Sequence, residues 1–199
     1  MKVIDIIFAL VCGRVVAWIA ADFLKGYGIE ITVPYRLLLY YALPVFSLFC
    51  LWIAFLIGKK LLFIYQVAKF LLIGAFAAVV DIKIFQLSTW LFSLSIIVSP
   101  LIPKATSFLI ATLTKYWGNK HWAFEKHGKE SIKKEVIQFF TITLVSLALD
   151  VASFYYLTKV LGPQFQAPVK VWTELSIILA ALSAALWNFL GYKFIVFRK

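Results

Sequence analysis

The sequence predicts an all-α polytopic membrane protein, and three observations predict it: the composition, the number of long apolar runs and the distribution of positive charge. Of 199 residues, 63% are hydrophobic and 15% charged, with a mean hydropathy of +0.95. A soluble domain is about 45–50% apolar and about 25% charged, so a water-soluble enzyme is excluded. At about 20 residues per crossing, the chain holds six transmembrane helices and leaves no room for a catalytic domain outside the bilayer. No enzymatic activity and no cofactor are therefore expected. The formal charge of +11 does not point to nucleic acid. Basic loops also set membrane topology, and no soluble basic face exists to follow a phosphate backbone.

The apolar runs place helices at 3–23, 37–58, 66–90, 104–124, 136–160 and 172–197. The first follows Met1-Lys2 in the manner of a signal peptide, but Asp5 and Arg14 interrupt it and a second hydrophobic run follows closely, so it is read as a retained helix. Arg14 looks to Asp5 or a neighbouring helix for neutralisation. Gly26, Gly28 and Pro34 separate the first two runs, and Lys59-Lys60 ends the second. The stretch 91–98 is too short to span and extends the third helix or lies at the interface. Residues 99–103, 125–135 and 162–168 form the remaining connections. Cys12 and Cys50 sit in apolar runs, giving neither a disulfide framework nor a metal cluster, and His121 and His127 are too isolated for a metal site.

With the N-terminus inside, Lys2, Lys59, Lys60, Lys69, Lys120, Lys126, Lys129, Lys133, Lys134, Lys193, Arg198 and Lys199 fall on the inner side. Lys25, Arg36, Lys104, Lys159 and Lys170 fall outside. Twelve against five predicts both termini in the cytoplasm and a multi-pass protein of the cytoplasmic membrane.

The chain also matches itself. An offset of 69 pairs Val67, Phe70, Ile73, Asp81 and Phe85 with Val136, Phe139, Ile142, Asp150 and Phe154. An offset of 73 pairs Leu109, Ala111, Leu113, Gly118, Lys120, Phe124 and Lys126 with Leu182, Ala184, Leu186, Gly191, Lys193, Phe197 and Lys199. The first set lies within about 120° of helix circumference, as a shared packing face requires. The last four helices therefore form two parallel two-helix repeats, 66–126 and 135–199, behind a two-helix extension at 1–65.

Charges at membrane depth are the candidate binding groups. Asp81 lies 12 residues beyond Lys69 and Asp150 lies 15 beyond Glu135, about 18–22 Å along their helices. A carboxylate there must face protein, water or a ligand. Lys83 and Lys115 are the nearby cations, and a neutral Asp–Lys pair is the simplest outcome. Otherwise the acids hold a polar head group or take up a proton, with sugar hydroxyls as natural partners. Asn119 and Asn188 also need hydrogen-bond partners within the membrane. With Lys115, Lys120 and Lys193 they predict a cationic, amide-lined mouth for a lipid phosphate. The surrounding aromatic residues are ordinarily interfacial anchors, and terminal lysines ordinarily snorkel.

Two stretches carry a resemblance. One runs from Phe70-Leu71-Leu72-Ile73-Gly74-Ala75 through Asp81 to Asn119-Lys120-His121-Trp122-Ala123-Phe124. The other runs from Phe139 through Asp150 to Trp187-Asn188-Phe189 and Lys193 to Phe197. In order and spacing, these resemble the GtrA-like family of small four-helix membrane proteins of cell-surface polysaccharide synthesis. The resemblance implies a flippase for a polyprenyl-phosphate-linked sugar. Departures from that pattern are Lys120 and Lys193 in place of Arg, which keeps the charge but loses bidentate phosphate geometry. Tyr192 replaces Asn and Ile195 an aromatic, so the second copy is expected to offer less polar binding. The chain's small size admits a homodimer. A scaffold recruiting a membrane glycosyltransferase and a small cation or drug exporter are the rival readings; the accompanying lysines argue against the exporter.

Overall fold

A computed structural model describes residues 1–26, 32–93, 101–126, 132–164 and 168–198. Six α-helices follow one another: α1 Val3–Gly26, α2 Val33–Gly58, α3 Leu62–Ser93, α4 Leu101–Gly118, α5 Ile132–Tyr155 and α6 Val169–Gly191. Among the described residues there is no strand. Helix α1 begins where its apolar run does and the other five begin three or four residues earlier than theirs; in α2 and α5 this is because a first turn, whose N–H groups lack intrahelical partners anyway, tolerates proline and polar residues. Pro34 occupies the first turn of α2 and Glu135 that of α5. The stretch 91–98 extends α3 as far as Ser93; the rest lies outside the described residues.

Among the described residues, five helices are long and apolar enough to cross a membrane: Val3–Ala21, Val33–Gly58, Leu62–Leu91, Ile132–Leu161 and Leu179–Val196. The protein is a multi-pass membrane protein. The predicted fourth span is not among these five, because Lys104 and Lys115, with the hydroxyls of Thr106, Ser107, Thr112 and Thr114, lower the hydropathy of α4.

The chain divides into two compact units, Met1–Glu125 and Lys126–Lys199. In the first, α1 packs on α2 and α3, and α3 on α4. Gly13 of α1 meets α2 so closely that a Cβ there would lie 2.5 Å from Pro44 Cα and 2.7 Å from the Leu43 carbonyl oxygen. Ser47 Oγ donates to the Ala9 carbonyl across the same contact. Arg14 lies over the Tyr40 ring of α2, 3.9 Å from its centroid, so its neighbour is an aromatic face on the next helix rather than Asp5. An apolar cavity of about 80 Å³ between α1, α3 and α4 is lined by residues that include Phe8, Cys12, Ile73, Phe76 and Trp117.

In the second unit α5 packs on α6. Helix α5 widens into a π turn, Tyr156–Leu161, and ends at Gly162 with φ 68°. That left-handed angle favours glycine and turns the chain toward α6, where Trp172 Nε1 donates to the Leu157 carbonyl at 2.9 Å.

Both units close on a similar device. Helix α4 runs into a π turn at Asn119–Ala123 and α6 into one at Tyr192–Val196, positions separated by the 73-residue offset. Phe124 N–H donates to the Asn119 carbonyl at 2.9 Å, and Phe197 N–H to the Tyr192 carbonyl at 2.7 Å. Just before each turn a glycine faces an isoleucine. A Cβ on Gly118 would lie 3.0 Å from Ile73 Cγ2, and one on Gly191 would lie 2.7 Å from Ile142 Cγ2. Small residues at such crossings let membrane helices approach closely.

Candidate functional site

Within Met1–Glu125 the predicted polar residues lie at two levels. At the deeper one, Asp81 is half-buried and its Oδ1 accepts a hydrogen bond at 2.6 Å from Ser107 Oγ of α4. Two residues further on, Lys83 turns to the opposite side of α3 and places its Nζ 4.3 Å from the Trp18 ring centroid on α1. An ammonium poorly served by water is favoured over an indole face.

Twelve residues along α4 from Ser107, about 18 Å, the second level is the Asn119–Ala123 turn. Lys115 extends its Nζ to within 5.9 Å of the Phe70 ring, and its carbonyl accepts from Asn119 Nδ2 at 2.8 Å. Asn119 is wholly buried, and its Oδ1 has no donor among the described residues. Lys120 is 8% exposed; its Nζ donates to Tyr116 Oη at 3.3 Å and lies 5.6 Å from that ring. The turn thus combines a shielded cation with an open amide acceptor.

Sequence reasoning missed what fastens this turn. Lys69 was counted among the lysines that set topology, yet it is 2% exposed, and its Nζ lies 2.8 Å from Asp5 Oδ1 and 3.2 Å from Glu125 Oε1. Trp122 Nε1 donates to Asp5 Oδ1 at 2.8 Å. Lys2 Nζ closes the cluster on Glu125 Oε2 at 2.8 Å. The hydrogen bond to Glu125, aided by that carboxylate's charge, raises the Lys2 amine above its usual range. Burial pushes Glu125 upward, but its hydrogen bonds to Lys2 and Lys69 prevail and hold the carboxyl below the usual range. The available signal was the repeat itself: at the 69-residue offset Lys69 faces Gln138, which marks the lysine as particular to the first copy.

In Lys126–Lys199, Asn188 is 6% exposed and its Nδ2 donates to Ser146 Oγ at 2.8 Å; Ser146 in turn donates to the Ala184 carbonyl at 3.1 Å. Asn188 Oδ1 has no donor among the described residues. Asp150 is half-buried, and no hydrogen bond or ion pair joins it to another described residue. Lys193 Nζ lies 5.7 Å from the Phe189 ring centroid and 5.6 Å from that of Phe194. Tyr192 stacks on Phe139 with centroids 4.3 Å apart and shares a 2.7 Å hydrogen bond with Thr143 Oγ1. Lys126, a second lysine counted toward topology, is buried, 3.4 Å from Glu135 Oε1 and donating to the Val196 carbonyl at 3.3 Å. His127, Lys129 and Lys199 lie outside the described residues.

Chemically, the two amide oxygens accept and cannot donate, so they suit hydroxyl groups. The lysines suit phosphate oxygens. Residues 69–197 match the family model described as GtrA/DPMS, transmembrane domain. Comparison with curated proteins and with solved structures gave no match.

Proposed function

Because the chain belongs to the GtrA/DPMS transmembrane-domain family, whose membrane proteins are tied to glycan synthesis, we propose that it carries a polyprenyl-phosphate-linked sugar across the cytoplasmic membrane. The observation that carries this reading is the two-level arrangement in the first unit. A shielded lysine and a buried amide acceptor stand at one end of α4, and a half-buried carboxylate stands about 18 Å deeper. Lys120 captures the phosphate at the cytoplasmic mouth. Asn119 accepts from a sugar hydroxyl, and Asp81 receives the sugar at depth, exchanging its bond from Ser107 for bonds from the substrate. Lys83 and Lys115 offset the charge that enters. In the second unit Asn188, Asp150 and Lys193 repeat these roles with two charges fewer, since Asn188 stands at the 73-residue offset from Lys115 and Ala152 at the 69-residue offset from Lys83. The polyprenyl tail remains in lipid.

This reading takes α4 with its π turn as the sixth crossing. Residues 101–123 are continuously helical, about 35 Å long, and their polarity belongs to the site they carry. Both termini are then cytoplasmic, in keeping with the lysine count, and the matching glycine contacts and π turns support the two parallel repeats.

Translocation of a fluorescent polyprenyl-phosphate sugar in proteoliposomes tests the assignment. The wild-type chain should exceed protein-free vesicles, and Asp81→Ala combined with Lys120→Ala should return the rate to background. Wild-type rates in that double variant would remove both residues from the site.

A further inference from the structure

We infer that Asp5, on a helix outside the family-matched segment, is a positioning residue that holds the Asn119–Ala123 turn in the geometry that presents Asn119 and Lys120. The argument begins with Trp122, two residues beyond Lys120 in the same turn and 3% exposed. Its indole N–H donates to Asp5, its carbonyl accepts from Lys69 Nζ at 3.4 Å, and its ring stacks on Phe8 with centroids 4.8 Å apart and planes 24° apart. Edge, face and backbone of one side chain are thus held by α1 and α3. Asp5 is itself fixed. It is 1% exposed, its Oδ2 accepts from the Lys2 backbone N–H at 2.7 Å, and Lys69 lies on its Oδ1.

A π turn is a local departure from the α-helix and needs its surroundings to define it. At the 73-residue offset the second copy has Ile195, which is exposed and cannot donate. There the turn is fastened within its own unit, by Tyr192 on Phe139 and Thr143 and by Lys126, which donates to the Val196 carbonyl at 3.3 Å. The first copy has Asn119 where the second has Tyr192, so the hold must come from elsewhere, and α1 supplies it. This role rests on the proposed transport only for its effect on lipid; the hold on the turn stands on geometry alone.

The test uses the full chain in bicelles with a nitroxide on His121→Cys, or separately on Phe194→Cys. Both positions are exposed, and Cys50→Ala removes the exposed native thiol. Asp5→Leu, which leaves no acceptor for the indole, should mobilise the label at 121 and leave the one at 194 unchanged. Asp5→Leu with Lys69→Met removes the unpaired charge and should restore thermal unfolding, while the label at 121 stays mobile. In both variants the half-saturating concentration of polyprenyl-phosphate sugar should rise on the order of tenfold, the scale seen when a residue orienting a binding group is lost. Should Asp5→Leu fail to fold, Trp122→Phe deletes the same hydrogen bond and should loosen the turn in the same way. A label at 121 as immobile as in wild type, or one re-immobilised by the double variant, would overturn the inference and leave Asp5 a counter-ion only. A wild-type chain that moves no sugar lipid would instead overturn the transport reading, and the label would still decide this one.

Discussion

Asn119–Ala123 and Tyr192–Val196 are both five-residue π turns closing a helix, and a buried lysine donates to a carbonyl of each; beyond that the first is held by an ion cluster around an indole and the second by stacked rings. In the first unit the fastening is Lys2, Asp5, Lys69 and Glu125 around an indole; in the second it is Phe139, Tyr192 and Phe197 with a buried Lys126–Glu135 pair beside them. Rings give up little on leaving water and can be trimmed piecemeal. The buried Asp5–Lys69 pair at the centre of the ion cluster has to be complete, because losing either partner strands the other's charge in a low-dielectric interior. One backbone device can therefore be fastened from inside its own helix pair or from an added helix. The second route ties the turn to α1.

The largest expected difference between the units follows from that contrast. Lys69→Met strands the buried Asp5 carboxylate and should cost about 3–5 kcal/mol of unfolding free energy. Its counterpart Gln138→Met, at a half-buried amide, should stay within about 0.5 kcal/mol. Denaturant titration in mixed micelles reads both, and equal costs would erase the distinction. Next come the glycines. Gly191→Ala drives a methyl to 2.7 Å from Ile142 and should cost about 1–3 kcal/mol, whereas Gly118→Ala, at 3.0 Å from Ile73, should fall at or below the low end of that range. The reverse order would mean that the first crossing is the tighter one.

The smallest effect is a pH dependence. The folded state holds Glu125 below the ordinary carboxylate range, so its contribution is present above the unfolded value, near pH 4.5, and disappears as pH falls through the folded one. Lys2 is raised instead, and its share is lost only as pH climbs above the ordinary lysine range. Wild type and Glu125→Gln should therefore differ in stability at neutral pH and converge in acid. A gap that persists at low pH would exclude the ion pair as its cause.

Long apolar runs revealed the helices, because a membrane span is written in consecutive residues and nothing distant is needed to find it. Self-matching went further: the offset that pairs Gly118 with Gly191 also pairs the two π turns. The turns themselves left no mark, since one extra residue in a helical turn is a matter of backbone hydrogen bonding that hydropathy does not register. The ion cluster was hidden for a different reason. Asp5 and Lys69 are 64 residues apart, each sits near the start of an apolar helix, and a lysine in that position ordinarily snorkels to water. Only tertiary packing turns this lysine inward. For Asp81 the sequence asks for a partner and offers Lys83 and Lys115 as nearby cations; the Ser107 hydroxyl that donates to its Oδ1 is not legible, because a single hydroxyl on α4 carries no pattern to flag it.

The central claim is that the first unit holds the phosphate end of the substrate through a turn whose geometry α1 maintains. Binding of radiolabelled polyprenyl phosphate to the purified chain, compared between Lys120→Gln and Lys193→Gln, tests it most directly. The account predicts that Lys120→Gln weakens binding on the order of tenfold, the loss of one charge-assisted contact, and that Lys193→Gln, whose ammonium lies near the Phe189 and Phe194 rings of a turn without the Asn119 amide, weakens it less. Equal losses, or a larger loss for Lys193→Gln, would contradict it.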